Sequence, residues 1–221
     1  MQTQANHLVH TTCAYCGVGC GIKATVQDQT QRIVTIQGDT EHPANYGRLC
    51  SKGSSLGETI SLEGRLLEPQ IAGQNVSWPT AIDKVANEFK QIIAEHGKES
   101  VAFYVSGQIL TEDYYVANKL MKGYIGTANI DTNSRLCMSS AVAGHKRAFG
   151  ADTVPASYAD FDHANLIVLV GSNTAWCHPI IFQRIKAIKA QRPELRIVVV
   201  DPRETATNEI ADLHLPLKAG M

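Results

Sequence analysis

The sequence is poor in the features that mark several common protein classes. Its 221 residues carry 20 Lys and Arg against 21 Asp and Glu, a formal charge of -1. That balance leaves no electrostatic footprint for nucleic acid or for an anionic membrane. Aromatic side chains make up only 6%, and the Trp and Tyr residues read as core and pocket packing rather than a base-stacking platform. The longest purely aliphatic run, Leu166–Val170, is far short of the ~20 apolar residues that span a bilayer. Met1–His10 shows no basic n-region, apolar h-region or twin-arginine pair, which predicts a cytoplasmic location with Met1 as the start. No internal repeat or low-complexity tract is visible. Hydrophobic residues at 44% and charged residues at 19% support one large folded domain or two small ones.

Cysteine is what the chain does have. Six cysteines in a cytoplasmic chain of this size read as metal ligands or catalytic thiols, not as a disulfide framework. Cys13, Cys16 and Cys20 follow a C-x2-C-x3-C spacing among Gly17, Gly19 and Gly21, and Cys50 lies well downstream. Three thiolates on one tight loop can occupy three corners of a compact centre, with the distant fourth closing it. Four such ligands suit a 4Fe-4S cluster or an all-thiolate zinc site. Zinc ribbons generally use two C-x2-C knuckles, so a single triplet with a lone fourth cysteine favours iron–sulfur. Radical-SAM triplets run in the opposite order, x3 before x2. Lys52, two residues after Cys50, is either a solvated surface lysine or a cation beside the cluster.

The texture of the chain changes near residue 60. Residues 1–60 hold four of the cysteines and two short alternating runs, Gly21–Val26 and Arg32–Gln37, which predict a small hairpin around Asp28–Thr30. A fold this small and loop-rich generally needs a metal to stay folded. Glu63–Asn75 is the expected connection. From Ser77 onward, strands and helices alternate. Ser77-Trp-Pro79 starts a helix whose Ile82, Val85, Ala86, Phe89, Ile92 and Ile93 share one face. Val101–Val105, Leu166–Val170 and Ile197–Val200 are expected buried strands. Thr111 is the expected cap of a helix to about Gly123, and further helices are predicted over Cys137–Phe149 and Pro179–Ala190. The fold class is therefore α/β: a small iron–sulfur domain with short β-hairpins over 1–60, then a parallel-sheet α/β region over 61–221, with both faces of the sheet covered. Ligands bind such sheets at the C-terminal strand ends, here Gly171-Ser-Asn173 and Asp201-Pro-Arg203.

The fifth cysteine, Cys137, is predicted at the start of a helix, where the helix dipole and Arg135 both favour thiolate. Five ordered motifs now stand together: the cysteine pattern, Leu49-Cys-Ser-Lys-Gly53, Asn133-Ser-Arg-Leu-Cys-Met-Ser-Ser-Ala-Val142, Val170-Gly-Ser-Asn173 and Val200-Asp-Pro-Arg203. In this combination the chain resembles the molybdopterin oxidoreductase family over its whole length, and within it the catalytic subunits of the bacterial assimilatory nitrate reductases.

The resemblance implies a 4Fe-4S cluster held by Cys13, Cys16, Cys20 and Cys50. It also implies a bis-molybdopterin guanine dinucleotide with molybdenum ligated by Cys137, and Lys52 between cluster and pterin. Gln108, Asn133, Gly171, Ser172, Asn173, Asp201, Arg203 and Thr205 match positions that line the dinucleotide. Nitrate is the implied substrate, reduced to nitrite with electrons from ferredoxin, flavodoxin or a nicotinamide-linked reductase. Formate dehydrogenase chemistry is the alternative within the family, and a non-enzymatic iron–sulfur electron-transfer module the alternative outside it. Family catalytic subunits are several times longer, so the resemblance implies an N-terminal part of a larger molybdopterin-enzyme fold, with an incomplete pterin site and little activity alone. Cys177-His178 is read as pocket wall. His42, His96, His145, His163 and His214 lack ligand spacing and read as surface or capping residues.

Overall fold

Alternation in the run at Gly21 sends Ile22, Ala24 and Val26 to one side of a strand, and all three are buried. In the computed structural model, which describes residues 6–28 and 32–220, β1 (Asn6–Thr12), β2 (Gly21–Gln27) and β3 (Arg32–Gly38) form a sheet in that order. β2 and β3 are antiparallel, with Ile22 opposite Gly38. The hairpin turn expected at Asp28–Thr30 falls largely outside the described residues. β1 is an addition to the sequence reading: its residues are exposed throughout, so it carries no apolar signature.

Further along come α1 (Ser51–Ser54) and a tiny hairpin, β4 (Gln70–Ile71) with β5 (Gln74–Asn75), inside the expected connection. α2 (Trp78–His96) starts as predicted, with the Ser77 side chain accepting from the Thr80 N–H at 3.3 Å. β6 (Phe103–Val105) precedes α3 (Thr111–Asn118), which continues into a wider π-type stretch, Lys119–Ile125. Thr111 is the first helical residue rather than the cap. The cap position is Leu110, whose N–H donates to the Asp113 carboxylate at 3.1 Å. β7 (Ile130–Thr132) leads to α4 (Ser134–Cys137) and α5 (Ser139–Phe149). The single helix expected over Cys137–Phe149 is thus broken at Met138, where φ is -124° and ψ 18°. β8 (Leu166–Val170), α6 (Thr174–Cys177), α7 (Pro179–Gln191), β9 (Arg196–Val200) and β10 (Leu213–Leu215) complete the order.

The chain divides into two compact units. The first takes in the N-terminal strand up to Thr11, Cys20–Ser54 and Val142 onward. Its parallel sheet has the order β10–β9–β8. Phe182, Ile185 and Ile188 of α7 cover Ile167 and Ile197, with Leu195 and Ile210 closing the cluster. Ile210 lies in the 3-10 turn Ala206–Ile210 that links β9 to β10, so both connections lie over the same face of the sheet. Leu166, Val168, Val170, Leu213 and Leu215 on the strands stay exposed. The expectation of a sheet covered on both faces is corrected accordingly: β8 is a half-buried strand. The Asp212 carboxylate ties the layer together, accepting from Lys189 Nζ at 2.9 Å and from the Ile197 N–H at 2.7 Å. Those contacts, Lys189 foremost, hold its carboxyl below the ordinary range.

The second unit comprises Thr12–Gly19 and Ser55–Ala141. β6 and β7 pair in parallel as a two-stranded sheet. Val101 and Met121 are buried in this unit, as is Cys13, while Ala86, Phe89, Ile92 and Ile93 of α2 are half-buried. Ile82 and Val85, expected on the same core face, are exposed, as is Tyr104 in the middle of the expected buried strand. Ile185→Ala is expected to cost about 2–5 kcal/mol in urea unfolding, because that side chain is wholly buried. Ile82→Ala should change stability by about 0.5 kcal/mol or less.

Candidate functional site

Parallel pairing decides what gathers at the strand ends. Val170 stands opposite Val200, so β8 and β9 release the chain at one edge of the sheet. Gly171 extends the ladder, its N–H donating to the Val200 carbonyl at 2.8 Å. It then turns with a φ of 58°, a region in which a Cβ is unfavourable. On the first loop the hydroxyls of Ser172 and Thr174 lie 2.8 Å apart. On the second, Asp201 Oδ1 accepts from the Arg203 N–H at 2.9 Å, and the Thr205 hydroxyl accepts from the Thr207 N–H at 3.3 Å. Thr207 joins the two loops: its fully buried hydroxyl donates to Asn173 Oδ1 at 3.3 Å and accepts from the Ala175 N–H at 3.1 Å.

The structure therefore brings together Gly171, Ser172, Asn173, Asp201, Arg203 and Thr205. Thr207 escapes the sequence reading, and His214 enters it only as a surface or capping residue. His214 Nε2 lies 2.9 Å from the Asp201 carbonyl, so it supports the loop rather than decorating the surface. Only strand pairing reveals either role, since both partners are distant in sequence. The Arg203 guanidinium has no ion pair among the described residues, and Asp201 keeps Oδ2 unengaged there.

The second unit repeats this logic. Val105 stands opposite Thr132, which sends Ser106–Gln108 and the segment from Asn133 to Cys137 out at one end of the β6–β7 pair. The loops meet so closely that a Cβ at Gly107 would overlap the Asn133 side-chain amide. Gln108 is exposed at this end, its N–H donating to the Ser106 hydroxyl at 3.1 Å. Cys137 is exposed and ends α4 instead of starting a helix. Its N–H closes on the Asn133 carbonyl at 3.0 Å, which corrects the expectation that Cys137 opens a helix. Arg135 is also engaged elsewhere, its Nε donating to Asp131 Oδ2 at 2.9 Å. The Thr132 N–H first, and Arg135 next, hold the Asp131 carboxyl below its ordinary range.

α6 repeats the α4 turn. Cys177 N–H closes on the Asn173 carbonyl at 2.9 Å, and His178 N–H on Thr174 at 3.0 Å, as Met138 N–H does on Ser134. Asn-Ser-Arg-Leu-Cys and Asn-Thr-Ala-Trp-Cys thus form one local motif used twice, a similarity too short to stand out as a sequence repeat.

Cys20 and Cys50 belong to the first unit, Cys13 and Cys16 to the second. All six cysteines are thiols rather than half-cystines. Cys13 and Cys20 are buried, with Cys16 and Cys50 half-buried. Thiolate is the soft donor that iron–sulfur clusters use, one cysteine to each iron. Lys52 is exposed on α1, directly after Cys50. Gln183 of α7 donates to the Leu49 carbonyl at 3.0 Å, which anchors the Cys50 segment to the α/β layer. Near Cys20, Asp39 accepts from the Glu41 N–H at 3.0 Å, pairs with His10 at 2.9 Å and faces Lys23 at 3.2 Å. These contacts, the Glu41 N–H foremost, hold its carboxyl at about 2, below the ordinary 3.8.

Comparison with known proteins places the chain in a family. Residues 6–62 match the molybdopterin oxidoreductase Fe4S4 domain and residues 65–221 match molybdopterin oxidoreductase. A nitrate reductase from Klebsiella oxytoca is 59% identical over 95% of this chain, which covers 24% of that protein. A periplasmic nitrate reductase from Desulfovibrio desulfuricans is 44% identical over 96% of the chain and 28% of its own length. Among solved structures, acetylene hydratase from Pelobacter acetylenicus superposes with a TM-score of 0.73 at 26% identity, over 95% of this chain and 29% of that one. The chain spans about a quarter of the length of these proteins.

The Asp39 contacts predict an acid transition. Its lowered carboxyl pKa contributes stability that is full above the ordinary 3.8 and lost as pH falls toward about 2. Amide exchange at Glu41 should therefore accelerate across that interval beyond the intrinsic rate, and Asp39→Asn should abolish the pH dependence.

Proposed function

This chain belongs to the molybdopterin oxidoreductase family, and from that membership we propose that it supplies the cluster-bearing and part of the pterin-binding portion of a molybdenum-dependent nitrate reductase. Supporting nitrate as the substrate is the high identity to nitrate reductases along nearly the whole chain. Cys13, Cys16, Cys20 and Cys50 are the proposed ligands of the 4Fe-4S cluster, and residues 1–60 and 61–221 the proposed cluster and pterin regions.

The observation that carries the pterin assignment is the register of Val170 with Val200, which aligns two polar loops at one sheet edge. There the Arg203 guanidinium can grip a phosphate, while Asp201 Oδ2 accepts from a base or ribose donor. Gly171, Ser172, Asn173 and Thr205 shape the wall, and the bis-guanine dinucleotide form is the proposed occupant. Gln108 and Asn133 present amides at the end of β6–β7, the end at which Cys137 offers an exposed thiol for molybdenum. When bound, the molybdenum–pterin centre supplies the oxygen-atom chemistry by which nitrate, two electrons and two protons give nitrite and water. Lys52, exposed after Cys50, contributes a positive charge that favours the reduced, more negative cluster. Ferredoxin, flavodoxin or a nicotinamide-linked reductase is the proposed donor. Thiol chemistry suits a reducing compartment, and we take the cytoplasm as the location. Cell fractionation tests this against the periplasmic location named for one relative.

Anaerobically purified chain is expected to hold about four irons and four labile sulfides. Zinc without iron would overturn the cluster assignment. In a protein with the full length of its relatives, Cys137→Ala should leave iron unchanged while abolishing molybdenum retention and nitrate reduction by a reduced viologen dye. Formate oxidation in place of nitrate reduction by the unaltered protein would overturn the substrate.

A further inference from the structure

Asn45 sits in the loop that runs from the end of β3 to Cys50, where an asparagine ordinarily makes a local turn. Here its side chain does something else. It is only 1% exposed, and both polar atoms of the amide reach backbone. Oδ1 accepts from the Gly21 N–H at 2.9 Å, and Nδ2 donates to the Gly21 carbonyl at 3.1 Å and to the Arg48 carbonyl at 2.9 Å. Asn45 thus pairs with Gly21 in both directions, as a neighbouring strand residue would, while holding Arg48 with its second hydrogen. Gly21 follows Cys20, and Arg48 comes two residues before Cys50.

The neighbouring contacts leave this clamp little slack. A Cβ at Gly21 would overlap the His42 ring, so the loop lies directly on the strand start. The Gly21 carbonyl also accepts from the Asp39 N–H at 2.9 Å. Beyond Arg48, the Leu49 carbonyl accepts from Gln183 at 3.0 Å, and the Cys50 carbonyl from the Ser54 N–H at 3.0 Å. Three successive carbonyls ending at Cys50 are therefore each held, and of these three bonds the one at Arg48 leads back to the Cys20 side.

We propose that Asn45 is a positioning residue for the iron–sulfur cluster, fixing the Cys20 and Cys50 segments relative to each other. The proposal rests on the reading of those cysteines as cluster ligands. The chemistry demands an amide of this length: alanine leaves the Gly21 N–H and the Arg48 carbonyl without the partner Asn45 supplies and takes one of two donors from the Gly21 carbonyl, and aspartate keeps the acceptor but removes both donors. Partners that orient metal ligands in this way typically change metal affinity by about 10- to 100-fold when removed.

The test compares the wild-type chain, Asn45→Ala and Asn45→Asp after anaerobic reconstitution with ferrous iron and sulfide. Three quantities are followed: iron lost to a chelator with time, the EPR spectrum of the dithionite-reduced cluster, and amide exchange at Ile197 and Val199 as a check on the α/β core. Both variants should keep core protection, release iron about 10- to 100-fold faster and show an altered EPR spectrum. Failure of the near-isosteric aspartate variant assigns the effect to the bonds donated to Gly21 and Arg48. Equal release rates with superimposable spectra overturn the proposal and leave the ligand assignment standing. A wild-type chain that takes up no iron overturns the ligand assignment, and this proposal with it. Loss of core protection in both variants overturns the proposal as well, because Asn45 would then act on the fold at large.

Discussion

Phe182, Ile185 and Ile188 of α7 bury against Ile167 and Ile197, and the rest of the first unit takes its position from that layer. With the helix seated, β8 and β9 keep the register that brings their terminal loops side by side. The same helix turns Gln183 toward the Leu49 carbonyl, so the segment leading to Cys50 is fastened to a rigid element rather than to another loop. Asp212 locks the layer at its other end through Lys189 and the Ile197 N–H. Burial of a few aliphatic side chains thus controls polar groups that touch none of them.

Placement of function follows from the parallel ladder. Parallel strands deliver successive loops to the same edge, whereas a hairpin would send them to opposite ends. Both compact units use the device, through β8, β9 and β10 in one and β6 and β7 in the other. Each also follows a strand with an asparagine and a single helical turn ending in an exposed cysteine. The chemistry differs because the flanking residues differ: Cys137 is flanked by Leu136 and Met138, Cys177 by Trp176 and His178. Fold and site are separable here, and family membership rather than the turn itself distinguishes the proposed metal thiol.

Much of the site is legible in the amino-acid sequence. A C-x2-C-x3-C triplet with a fourth cysteine names its chemistry because thiolates are few and their spacing is constrained. Strand-end loops at Gly171 and Asp201 are equally visible, since apolar runs that stop at Gly, Ser, Asn or Asp mark strand ends in an α/β sheet. Harder to see are Asn45, Thr207 and His214. Each is an ordinary polar residue with at least one partner far away in sequence (Gly21, Asn173 and Asp201 respectively), and nothing in their local sequence announces it.

By itself the sequence determined which residues could be strands, that helices open at Ser77 and Pro179, and which side chains could carry redox and ligand chemistry, because periodicity, capping and thiol spacing are local properties. Tertiary structure alone decided which face of each apolar element is covered. Val170 and Ile82 belong to clean apolar patterns yet stay exposed, since both connections of the three-stranded sheet lie on one side and α2 is only half-buried. It also decided that Cys137 closes a turn instead of opening a helix, because the backbone hydrogen bonds return to Asn133 and Ser134 before Met138 breaks the run. Periodicity states that a face is apolar; only packing states what, if anything, lies against it.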